Sequence, residues 1–76
     1  MHTTLDQLQA GQKAKVLRVG GEGKLRKRIF DMGITPGIDV VFRKVAPLGD
    51  PIEVTVRGYE LSLRKSEAEE ITVETV

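Results

Sequence analysis

No cysteine occurs in the 76 residues, and histidine occurs once, at His2. Neither a disulfide framework nor a Cys/His zinc site therefore holds the fold together, and a hydrophobic core must do so. Tryptophan is absent and the rings are Phe30, Phe42 and Tyr59, too few to line an aromatic peptide groove. No apolar run approaches the roughly 20 residues of a membrane-spanning helix, and no basic segment leads into an apolar one at the amino end. These absences predict a cytoplasmic protein with no direct membrane insertion. Charge of one sign is missing too: 12 basic side chains stand against 11 acidic ones, which argues against a strongly basic nucleic-acid binder.

The length predicts one domain over residues 1–76, with a stability of about 3 to 5 kcal/mol if it stands alone. Thr4 and Gln7 form a capping-box pattern, with Leu5 and Leu8 on one face of a short helical turn. A strand is expected near 13–19, ending at Gly20 and Gly21. The period then changes. Leu25, Ile29 and Met32 fall on the buried stripe of a helix, with Lys24, Lys27, Arg28 and Asp31 opposite and Gly33 closing it. Phe30 is expected to join the core.

Three strands with period two follow: Ile38, Val40 and Phe42; Ile52, Val54 and Val56; Tyr59, Leu61 and Leu63. Gly58 is expected to supply the positive φ of a tight Arg57-Gly58 hairpin. Ser66, answered by Glu69, predicts one capped helical turn before a closing strand from Ile71. The fold class is therefore mainly β with one inserted α-helix, about five strands curled into a small barrel whose closure removes exposed edges.

Reactive chemistry finds no support. "GGEGK" fails as a phosphate loop because Arg18 stands where its first glycine is needed and Leu25 where a Ser or Thr must follow the lysine. One histidine near a terminus supplies no triad, and Glu69 and Glu70, adjacent on a helix, do not face each other. Scattered carboxylates make no transition-metal cage. The expectation is no enzyme, no catalytic residue, no resident metal and no cofactor. Two surface features remain. "KLRKR" places four basic residues in five positions, either a solvated face or a face that guides an acidic partner. "APLGDP", residues 46–51, stiffens the connection between two strands with two prolines around Gly49 and exposes Leu48; it serves strand geometry or offers a preshaped contact.

"MGITPG" after the helix, then "VAPLGDPIEV", then "LSLRKSEAEEITVE" resembles the FeoA family of ferrous iron transport accessory proteins through nearly the whole chain. The signature falls on Gly33, Pro36, Gly37, Pro47, Leu48, Gly49, Asp50, Pro51, Leu63, Arg64 and Ile71. The resemblance implies an SH3-like barrel in the cytoplasm that assists the membrane protein FeoB in ferrous iron uptake by contacting its cytosolic GTPase-containing part. Lys24, Lys27, Arg28, Pro47, Leu48, Gly49 and Asp50 are the expected contact residues. The alternative is a regulatory module like that at the carboxy end of iron-dependent repressors. Self-association stays open under both.

Overall fold

The computed structural model describes residues 1–75. Its six strands are β1 (His2–Thr4), β2 (Lys13–Val19), β3 (Asp39–Val45), β4 (Ile52–Val56), β5 (Tyr59–Leu63) and β6 (Ile71–Thr75). A 3-10 turn, Leu5–Gln7, follows β1; helix α1, Gly23–Asp31, follows β2; and a short helix α2, Lys65–Ala68, precedes β6. All ladders are antiparallel, in the order β1-β6-β2-β3-β4-β5.

Mainly β with an inserted helix is thus the observed class. The strand count is six because β1 adds itself to β6, with His2 opposite Glu74 and Thr4 opposite Thr72. None of its three side chains is fully buried, so no apolar alternation marked it. The sheet is bent but not closed, since no ladder joins β1 to β5 among the described residues. Closure of the barrel is corrected accordingly.

Bending comes from two bulges. The β2–β6 register shifts between Val16 and Arg18, and the β3–β4 register between Phe42 and Lys44. An extra residue on one strand increases local twist and turns the strand, which lets one sheet wrap around its own apolar face. That face carries Val16, Val40, Val54, Val56 and Val73, each 0 or 1% exposed. Leu5 from the 3-10 turn, Ile29 from α1 and Ala68 from α2, all 0% exposed, plug the open side.

α1 ends as the sequence implied. Gly33 has φ +93°, its N–H donates to Phe30 O at 2.9 Å, and the Ile34 N–H donates to Ile29 O at 3.3 Å. This paired closure is the Schellman arrangement, and the apolar contact that accompanies it is made by Ile29 and Ile34. Phe30, by contrast, is only half-buried; the Arg26 guanidinium sits 4.8 Å from its ring centroid, so the ring forms a roof rather than core. The hairpin between β4 and β5 also differs in detail. Arg57 takes a positive φ of 51° alongside Gly58 at 85°, as a turn of the primed type requires at both central positions.

Candidate functional site

The exposed face of α1 follows from its spacing, yet its three candidate cations are unequal. Lys27 Nζ lies 3.0 Å from Asp31 Oδ2, one turn along the helix. Arg28 Nε lies 3.1 Å from Glu67 Oε2 on α2, and the Glu67 side chain is only 4% exposed. The other Glu67 oxygen accepts the Arg64 N–H at 2.9 Å. Arg28 therefore neutralises a buried carboxylate and ties α1 to α2. Lys24 alone of the three has no ion pair or side-chain hydrogen bond among the described residues. Arg26 is likewise occupied, its Nε donating to Val19 O at 3.2 Å.

Glu67 also corrects the expected cap. α2 starts at Lys65, two positions after which comes the carboxylate that reaches back to Arg64; Ser66 lies inside the helix and Glu69 beyond it. The reason is a distant partner: Asp50 Oδ1 accepts the Lys65 N–H at 3.0 Å, fixing where the helix begins. Thr4 similarly caps no helix backbone; its hydroxyl donates to the Asp6 carboxylate.

Asp50 belongs to the second surface, the corner between β3 and β4. Its backbone is closed by the Gly49 N–H on Ala46 O at 2.8 Å and the Ala46 N–H on Pro51 O at 3.0 Å, and the Asp50-Pro51 peptide is cis. Pro47 is exposed and Leu48 is 96% exposed. Such a loop loses little entropy on docking because its shape is already set. No hydrogen bond or ion pair joins the corner directly to α1 among the described residues; both are fastened to α2, through Lys65 and Glu67.

Sequence reasoning missed a third feature. A cleft of about 520 Å³ opens beside the corner, bounded on one side by Asp6, Leu8, Gln9 and Ala10. On the other side stand Phe42, Lys44 and Val45 of β3, with Gly49, Ile52 and Lys65 completing it. Its apolar members were legible only as core residues. The bulge after Phe42 redirects β3 where the cleft opens; in the sequence it shows only as a slip in the alternation between Phe42 and Val45, which does not say what the turned strand comes to face. Among the described residues no three His, Cys, Asp or Glu side chains are placed to hold a metal ion. Among the described residues no helix is long and apolar enough to cross a membrane.

The bent sheet, its plugging helices and its exposed corner define a small SH3-like domain. The FeoA domain model matches residues 3–75, and the chain belongs to the FeoA family, which serves ferrous iron transport. A Porphyromonas gingivalis Fe(2+) transport protein A/Fe(2+) transporter FeoB fusion protein is 39% identical over 72 residues, covering 95% of this chain and 8% of that protein. The chain thus spans a small part of this curated relative. The FeoA-like protein of Clostridium acetobutylicum superposes with a TM-score of 0.92 at 44% identity, over 99% of this chain and 87% of that one. Stenotrophomonas maltophilia FeoA, a zinc complex described as a procaryotic SH3 domain protein, gives 0.82 at 28% identity over 95% and 89% of the two chains. A manganese-dependent transcriptional repressor gives 0.89 at 16% identity, over 99% of this chain and 42% of that one, a likeness of fold alone.

Proposed function

We propose that this chain is a non-enzymatic, cytoplasmic accessory protein of ferrous iron uptake that binds the cytosolic GTPase-containing part of FeoB and modulates its activity. The observation that carries this reading is the fused relative, in which a homologous segment and the transporter share one polypeptide. Fusion supplies the high effective concentration that separate chains must replace with a binding surface. The exposed Lys24 on α1, with Lys27 and Arg28 beside it, and the corner of Pro47, Leu48, Gly49 and Asp50 form that surface in this proposal.

Calorimetric titration of the FeoB cytosolic domain tests it. Binding is expected, and weakening by Lys24→Glu or Leu48→Glu assigns the contact to α1 or to the corner respectively. Both positions are exposed and neither side chain has an ion pair among the described residues, so neither change disturbs folding. Absence of any heat of binding by the unaltered chain overturns the proposal.

A further inference from the structure

We propose that β5 is the contact strand of a symmetric dimer, in which it pairs antiparallel with β5 of a second copy, Glu60 opposite Ser62. This goes beyond the FeoB reading and does not depend on it. The sheet does not close, so β1 and β5 each keep one free edge, and a free edge offers backbone donors and acceptors to another strand.

Which groups face outward follows from the ladders. The two-residue turn at Arg57-Gly58 makes Val56 and Tyr59 a hydrogen-bonded pair. Pairs then alternate, so Leu61 bonds Val54 and Leu63 bonds Ile52. The far side of the sheet agrees: Phe42 directs its N–H and carbonyl to Gln12 and Gly11, which leaves Val54, its neighbour in β4, to bond β5. The N–H and C=O of Glu60 and Ser62 therefore point away from β4, and among the described residues no other backbone group bonds them. The edge stops there. Arg64 donates its N–H to Glu67 Oε1 at 2.9 Å, and its carbonyl accepts from the N–H groups of Glu67 at 2.9 Å and Ala68 at 3.0 Å.

This pattern fits a second copy. With Glu60 opposite Ser62, every outward group of both strands is bonded; a slip of two residues leaves half of them idle, because Arg64 has none to offer. Leu61, half-buried, then meets Leu61 of the second copy at a non-hydrogen-bonded position, where side chains approach most closely. Tyr59, 45% exposed, stands opposite Leu63. On the other face Glu60 lies diagonal to Arg64 of the second copy, within reach of a long side chain. Its other diagonal neighbour is Glu60 of that copy, so without Arg64 the strand would repel itself. Glu60 and Arg64 are both exposed, and neither has an ion pair in its own chain among the described residues. The two-fold axis makes their contact twice and closes the assembly, whereas β5 against β1 of another copy leaves a free edge at each end of the pair.

The test is a concentration series of the full chain, micromolar to millimolar, read by amide chemical shifts and translational diffusion. The amides of β5 should move as diffusion slows, and a mixture of isotope-labelled and unlabelled chains should show Leu61 Hα close to Leu61 Hα of the other copy. Ser62→Pro removes an outward N–H and none from the β4 ladder, a position that proline tolerates on an edge strand; it should weaken association about tenfold or more with the monomer spectrum retained. Glu60→Arg and Arg64→Glu should each weaken it about threefold to tenfold, and the double variant should restore it to within about twofold. Should Ser62→Pro fail to fold, the charge exchange decides alone. A chain that stays monomeric throughout, association unchanged in a folded Ser62→Pro, a double variant as weak as the single ones, or contacts between copies confined to other elements overturns the proposal. So does a monomer whose Glu60 and Ser62 amides shift only when the FeoB cytosolic domain is added, which would make a foreign strand the occupant.

Discussion

The Tyr59 hydroxyl donates to Met32 O at 2.7 Å, and a Cβ added to Gly33 would lie 2.6 Å from that hydroxyl oxygen. Gly33 also holds a positive φ of 93°. Gly33→Ala is thus opposed twice, by backbone strain of about 1 to 3 kcal/mol and by the clash. Tyr59→Phe removes the oxygen, and the next ring atom, Cζ, is 3.8 Å away, an ordinary contact. The double variant should therefore lose about 1 kcal/mol less than the sum of the two single changes in urea denaturation; strict additivity would show that the clash is absent. Gly33 was legible as a helix stop, but its second role was not. Tyr59 opens the alternating row of β5 with Leu61 and Leu63, yet it is 45% exposed, its hydroxyl resting on the end of α1.

At the scale of elements, the tie between α1 and α2 sorts the basic residues into structural and available ones. Arg28→Glu would set a second carboxylate against the buried Glu67 and should cost about 1 to 3 kcal/mol. Lys24→Glu should stay within about 0.5 kcal/mol of the unaltered chain. Thermal melts of the two variants check this, and equal melting temperatures would remove the structural role given to Arg28. Local patterns found β2 and α1 well, β2 by its β-branched and apolar content over a strand's length, α1 by its helical period, and each by a glycine just beyond it. They placed α2 less well, since its start is set by Asp50, fifteen positions away in the chain. β1 was invisible for a related reason: its ladder with β6 is made by backbone, while its side chains stay largely in water.

For the molecule as a whole, the margin is small. Leu5, 0% exposed, plugs the open side of the sheet from a three-residue turn. Leu5→Ala should cost about 2 to 5 kcal/mol, comparable to the about 3 to 5 kcal/mol expected of a domain this size. The variant should lose most of its cooperative thermal transition by circular dichroism; a transition within a few degrees of the original would show that the plug is dispensable. The overall class was legible because period-two alternation survives bending. The cleft was not, because it depends on where β3 bulges and on which segments, far apart in the chain, come to stand around Phe42 and Ile52.

β1 and β6 run antiparallel with His2 beside Glu74, and the Thr75 N–H donates to Met1 O at 3.0 Å. Residues 1 and 75 consequently leave the domain from one spot. A polypeptide attached ahead of the first or behind the last would hang from the same anchorage and present the corner, α1 and the cleft in nearly the same orientation. Whether such a domain leads or trails a larger chain should therefore matter little to what its surfaces can reach, and a short loop joining the two ends, with a new opening elsewhere, should leave the architecture intact.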